Sequence, residues 1–166
     1  MDEGIGRWYE DFGVGDHFRH PLGRTITDTD NVWFTLLTMN TNPVHFDYNY
    51  AAQSEFGRPL VNSTLTVAIV AGQSVLDTSQ RAFANLGWDE IRLTHPVFVG
   101  DTLYAESQVL STRESVSRPE GGIVEVRTRG LNQDGVQVVT WRRTFFVYKR
   151  GASGGRSPFP DPVDPW

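Results

Sequence analysis

The 166-residue chain has no cysteine and a single lysine, Lys149; every other cation is an arginine. Without cysteine there is no disulfide framework, no thiol nucleophile and no thiolate metal site, a composition suited to a reducing compartment. Long apolar runs are also missing. The longest strictly apolar stretch, residues 67–71, is far too short to span a bilayer. The N-terminus, Met1-Asp2-Glu3-Gly4, lacks a charged-then-apolar leader pattern. No basic block or basic-aromatic stripe is present and the net charge is -5, which argues against nucleic acid as a partner. These absences lead to the expectation of a cytoplasmic protein that binds neither membrane nor nucleic acid.

What remains is an ordinary globular composition, 39% hydrophobic and 12% aromatic, on a chain long enough for one domain with a real core and short for two. Trp8, Tyr9 and Phe12 suggest an N-terminal arm laid on the body and ending in a Gly15-Asp16 turn. Residues 17–26 read as a first strand, which Pro21 confines to an edge or a bulge. Thr27 is a helix cap followed by Asp28 and Asp30, whose charges suit the first turn. Val32, Leu36 and Met39 carry helical spacing as far as Pro43, which excludes the residue before it from the helix. Asp47 starts a short second helix, and Asn62-Ser63-Thr64 caps a third that runs to about Leu76. That third helix is apolar almost all round and is expected to be buried on most sides, with Gly72 tolerated where another backbone packs close.

From Ala82 the period changes to two. Strands are expected over 82–94, with a break at Gly87, and over 102–112, around Val124–Thr128 and over 136–148. Asp134-Gly135 is a hairpin turn, and Gly121-Gly122 reads as loop. In the last strand Arg143 shares a side with Trp141, Phe145 and Val147, so a bulge or an interface is expected there. Residues 151–166, rich in Gly, Ser and Pro, are expected to form a tail that is disordered or draped on a partner. A long helix followed by an antiparallel meander implies an α+β architecture, a curved antiparallel sheet wrapped around one central helix over residues 1–150. This is the hot-dog fold. Its open edges suggest pairing in a homodimer or higher homo-oligomer.

The stretch Asn40-Thr41-Asn42-Pro43-Val44-His45-Phe46-Asp47, followed by Tyr50-Ala51-Ala52 and Phe56-Gly57-Arg58-Pro59-Leu60-Val61, resembles the hydratase motif of MaoC-like dehydratases, the group that includes R-specific enoyl-CoA hydratases. Gly100-Asp101-Thr102-Leu103 is similar to a turn of that family, and the resemblance covers roughly residues 7–149. It implies a hot-dog dimer that adds water reversibly to a 2-enoyl-CoA without a metal or redox cofactor. It also implies a catalytic His at His45 and, five residues earlier, an Asp. Here that position holds Asn40. The family's thioester-binding Gly at the start of the central helix is replaced by Ser63, whose backbone N–H can still serve, with Thr64 beside it.

Hydration needs a base for the attacking water, an acid for the α-carbon, and donors for the thioester oxygen as it takes on enolate charge. His45 suits the proton transfers. Asn40 has no basic lone pair but can orient a water. Asp47 is a nearby carboxylate, though capping a helix is already a sufficient task for it. Phosphates of CoA call for cations, of which Arg58, Arg81, Arg92, Lys149 and Arg150 are available. The acyl group is open: short, branched, or bearing its own carboxylate as in mesaconyl- or itaconyl-CoA, for which Arg58 is a candidate partner. Two other functions fit the fold. One is an acyl-CoA thioesterase, disfavoured because residues 62–70 contain no Asp or Glu. The other is a non-catalytic acyl-CoA-binding subunit. His17 and His20, on opposite sides of a strand, make a poor metal pair, and His95 before Pro96 reads as a turn residue.

Overall fold

The computed structural model describes residues 5–154 together with 163 and 164. Six strands form an antiparallel sheet: β1 (His17–Arg19), β2 (Arg24–Thr25), β3 (Ala82–Leu93), β4 (Thr102–Glu114), β5 (Gly121–Leu131) and β6 (Gln137–Tyr148). Their spatial order is β1-β4-β5-β6-β3, with β2 also paired to β4. Three helices lie between β2 and β3 in sequence: α1 (Asp28–Leu37), α2 (Tyr48–Ala52) and α3 (Ser63–Thr78). Helix α3 packs on β4 and β5, giving the sheet-around-helix arrangement of a hot-dog fold. No helix among the described residues is long and apolar enough to cross a membrane.

The meander forms for the reasons its sequence supplies. Val124, Val126 and Thr128 of β5 point inward and are buried, while Arg127 and Arg129, which alternate with them, are exposed. Gly135 takes φ +76°, the left-handed region that a tight turn requires, and the Asn132 side chain accepts from the backbone N–H groups of Asp134 and Val136. Leu65 and Val70 of α3 join Leu103, Ala105, Val138, Val139 and Trp141 in the main core. Helix and sheet approach each other closely at Gly130. A Cβ there would lie 2.6 Å from Val70 Cγ2 and 2.9 Å from Val139 Cγ1.

Several expectations are corrected. Residues 17–26 form two short strands instead of one, divided at His20-Pro21. The break at Gly87 is a shift of register within a continuous β3. Gly121 and Gly122 open β5, buried, with the Tyr9 ring so close that a Cβ on Gly122 would lie 2.2 Å from it. Arg143 sits in regular register opposite Val126, neither at a bulge nor exposed. It turns inward beneath the C-terminus of α3 and donates to Thr78 Oγ1 at 2.6 Å. Burial lowers its pKa from the usual guanidinium range to about 10. Helix α3 is buried on one side only: Ala68, Gly72, Val75 and Leu76 are exposed, and nothing approaches the space a Gly72 side chain would fill. Within the C-terminal stretch 151–166, only residues 151–154, 163 and 164 are described, and Gly154 packs on the Tyr148 ring.

Helix α1 is short and turned inside out. Thr27 and Asp30 cap it reciprocally: the Asp30 carboxylate accepts from Thr27 N and the Thr27 hydroxyl accepts from Asp30 N. Burial raises the Asp30 pKa, but the Thr27 hydrogen bonds and Arg24 outweigh it, and the net shift is downward. The helix stops at Leu37, six residues before Pro43, and Met39 takes φ +57°. Its buried residues are Asn31 and Thr35, whereas Trp33, Leu36 and Leu37 are more than half exposed.

Candidate active site

His45 ends a 3-10 turn, Pro43–His45, that two asparagines build. Asn40 Oδ1 accepts from Asn42 N at 3.0 Å, and Asn42 Oδ1 accepts from Val44 N at 3.2 Å. Asp47 then caps α2 by accepting from Tyr50 N at 2.9 Å. The chain turns twice within eight residues and leaves the imidazole buried.

The hydrogen bond that defines His45 is between Nδ1 and the Leu60 carbonyl oxygen, 2.8 Å apart. A carbonyl can only accept, so Nδ1 carries the proton. In the neutral ring Nε2 is then the basic nitrogen. The second anchor is Asn31, which the sequence reading missed. Its Nδ2 donates to the backbone oxygens of His45 (2.9 Å) and Leu60 (3.2 Å), and its Oδ1 accepts from Asn62 N at 2.9 Å. One fully buried side chain thus joins the histidine segment, the carbonyl that fixes the histidine tautomer, and the residue that caps α3. Thr35, one turn along α1, accepts from Asn62 Nδ2 at 3.2 Å. The signal was present: Asn31 and Thr35 are polar residues four apart on a helix whose other positions are largely apolar, so they share a face.

At the start of α3, Asn62 Oδ1 accepts from Thr64 N at 3.0 Å and Thr64 Oγ1 at 2.7 Å. The amide of Thr64 is therefore already engaged. The Ser63 N–H, first in the helix, has no intrahelical acceptor, which leaves it the uncommitted one of the two candidates. A cavity of about 240 Å³ opens beside this helix start. Its apolar walls are Leu60, Val61, Leu93, Pro96 and Val97, and its polar groups come from Ser63, Thr66, Thr94 and His95. His45 is not among its lining residues, but Leu60, whose carbonyl holds His45 Nδ1, is.

The cations divide clearly. The Arg81 guanidinium is buried against the Trp8 ring, Lys149 pairs with Glu114, and Arg150 pairs with Asp11. Arg58 is exposed and stacks 3.8 Å from the centre of the Phe98 ring, next to the bridge that Phe98 makes with Leu60. His17 lies 3.2 Å from Glu106, while His20 is buried between Asp77 (2.8 Å) and Ser107 (2.9 Å). Among the described residues no cluster of three or more His, Cys, Asp or Glu could hold a metal ion.

A sheet wrapped around one central helix is the fold this chain shares with the MaoC-like hot-dog dehydratases. The chain belongs to the mesaconyl-CoA hydratase family, whose sequence profile matches residues 2–158. It is 34% identical to the mesaconyl-CoA hydratase of Cereibacter sphaeroides over 165 residues, covering 99% of this chain and 47% of that protein. It is 33% identical to the (R)-specific enoyl-CoA hydratase of Aeromonas caviae over 107 residues, covering 64% of this chain and 75% of that protein. The crystal structure of a MaoC-domain dehydratase from Chloroflexus aurantiacus superposes with a TM-score of 0.83 at 32% identity, covering 99% of this chain and 45% of that one. The chain spans about half the length of the mesaconyl-CoA hydratases it matches.

Proposed function

We propose that this chain carries out the reversible hydration of a 2-enoyl-CoA thioester as a hydro-lyase. Water attacks the β-carbon while His45 Nε2 takes its proton, and the same imidazole returns a proton to the α-carbon, so that H and OH add across the double bond. The Ser63 N–H holds the thioester oxygen as enolate charge develops; losing such a donor costs about 2.7–4 kcal/mol in comparable sites. Asn40 orients the water through its amide N–H₂, because its oxygen is held by Asn42 N. The observation that carries this reading is the His45 Nδ1 bond to Leu60 O, which leaves Nε2 basic.

The names of the relatives favour a branched acyl group with its own carboxylate, as in mesaconyl-CoA. Arg58 is a candidate contact for that carboxylate or for a CoA phosphate. A second copy of the chain is proposed to cover the exposed apolar side of the helical layer, since relatives of this family carry about twice the length. Light scattering would measure it.

Loss of the enoyl-thioester absorbance with crotonyl- and mesaconyl-CoA tests the activity. The expected result is turnover by the wild type, nearly none by His45→Ala, and retained turnover by Asn40→Asp. Substantial hydration by His45→Ala would overturn the assignment. Release of free thiol without hydration would point to a thioesterase, and acyl-CoA binding without either reaction to a binding subunit.

A further inference from the structure

The outer face of the sheet, the side on which Arg127 and Arg129 are exposed, carries a cavity of about 370 Å³ that the proposed hydration chemistry leaves unused. Among the described residues every one that lines it is polar or charged, His17, Gln108, Arg127, Arg129 and Gln137 included. Pockets for carbon skeletons are lined mostly by apolar groups. This one is suited to a small hydrophilic ligand.

Its cations find no free acid. Among the described residues Glu106 is the one carboxylate in the lining, and it is taken. Arg129 donates to it through Nε and Nη2, His17 Nε2 lies 3.2 Å away and Arg19 Nε 3.6 Å. Burial raises the Glu106 pKa, but Arg129, His17 and Arg19 outweigh it and hold the carboxyl below its usual range. Glu125, two residues before Arg127 on β5, is bound by Arg142, which also reaches Glu90 at 3.4 Å. Arg127 itself is exposed and has no hydrogen bond or ion pair among the described residues. It stands on the middle strand, directly opposite Arg142 of β6 and Gln108 of β4, with Arg129 two residues along the same face. Like charges set directly opposite across a sheet destabilise it. The chain has 20 acidic residues against 15 Lys and Arg, so this cluster of three guanidiniums is not a by-product of excess positive charge. An anion seated against Arg127 would supply the missing counter-charge.

We propose that this cavity binds a phosphate group. Arg127 and the remaining Nη1 of Arg129 are its charged donors, and the side-chain amides of Gln108 and Gln137 its neutral ones. Guanidinium groups match phosphate geometry, and a phosphate presents three acceptor oxygens to donors on more than one side, which a planar carboxylate does not. The phosphate belongs either to CoA or to a separate phosphorylated ligand. The proposal does not depend on the hydratase reading.

Titration calorimetry with inorganic pyrophosphate, at neutral pH and fixed ionic strength, tests it. The wild type should bind with a Kd below about 1 mM. Arg127 is exposed, so Arg127→Gln spares the fold. It should weaken binding at least about fivefold through loss of a charge-assisted hydrogen bond. Glu106→Gln removes the competing carboxylate and frees Arg129, so it should bind pyrophosphate more tightly, a gain that no folding defect produces. The proposal is overturned by a wild-type Kd above about 1 mM, by Arg127→Gln binding within about fivefold of wild type, or by Glu106→Gln failing to bind more tightly. Absence of pyrophosphate binding together with a change of mass in light scattering on Arg127→Gln would assign the face to a second copy instead. A CoA titration under saturating pyrophosphate identifies the source. If pyrophosphate displaces CoA, the site takes the phosphates of CoA; if CoA binds as before, it takes a separate ligand. None of these readouts needs turnover, so failure to hydrate any enoyl-CoA sinks the hydratase reading alone.

Discussion

Replacing Asn31 by leucine should damage stability and activity together. Leucine is close to asparagine in shape, so it fills the same space and keeps water out. It cannot donate to His45 O and Leu60 O or accept from Asn62 N, contacts of 2.9, 3.2 and 2.9 Å. Leu60 O retains the His45 ring as a partner. His45 O and Asn62 N do not regain what they lose, and both residues are buried. At about 1–3 kcal/mol for each orphaned group, the loss is about 2–6 kcal/mol. At the lower end that is a fall in Tm of about 4–8 °C for a domain of this size. The histidine segment and the helix start would also lose their common anchor, and a displacement of about 1 Å between reacting groups can cost about 100-fold in rate. Thermal melts and hydration kinetics, run side by side, measure both. An Asn31→Leu protein melting within about 2 °C of wild type, with kcat/KM within about twofold, would refute the reasoning. Asn31→Asp supplies a check of sign. It keeps an acceptor for Asn62 N but turns a carboxylate oxygen toward two carbonyls, which favours the protonated acid. Its stability deficit should therefore grow as pH rises through and above the usual carboxylate range.

Gly130→Ala should lower stability by about 1–3 kcal/mol, read as a reduced urea midpoint, because its Cβ meets Val70 and Val139, both fully buried and unable to yield without moving α3 off the sheet. Arg143→Met should leave stability unchanged or raise it by about 1–4 kcal/mol, since a buried charge is removed and Thr78 keeps its own bond to Ser74 O; a loss above about 2 kcal/mol would show that the arginine holds the helix end. Burial depresses the His20 pKa below 6.5 despite the Asp77 hydrogen bond, so the unfolded chain takes up the proton first. The stability His20 contributes should be complete above the unfolded value and lost as pH falls from there through the lowered folded one, and His20→Gln should flatten the denaturation curve across that window.

Much of the frame was legible because it depends on near neighbours in sequence. The Thr27, Asp47 and Asn62 caps bond residues two or three positions on, and the Asp134-Gly135 turn closes within five residues. The alternation of β5 follows from one face being wet. What stayed hidden depends on distant partners. Asn31 bonds residues 14, 29 and 31 positions away, and those bonds reverse which side of α1 is buried, so apolar spacing alone gave the wrong face. Arg143 looked anomalous because its acceptor, Thr78, lies 65 residues earlier at a helix end. Gly122 is strand because the Tyr9 ring occupies the place of its side chain. At the site, the motif marked His45, but only the folded chain shows which ring nitrogen is tied and that the Thr64 amide is already spent on Asn62.

The grip of Asn31 also sets how the molecule breathes. The segment around His45, the strand-like passage through Leu60 and the first turn of α3 are separated in sequence, and each would be free to fluctuate if it were anchored alone. Because one amide holds all three, opening any one releases the bonds of the others, and their protected backbone amides should exchange with solvent deuterium as a single unit with a shared opening free energy. The exposed turn around Gly135 is not tied to that anchor and should exchange on its own, faster schedule.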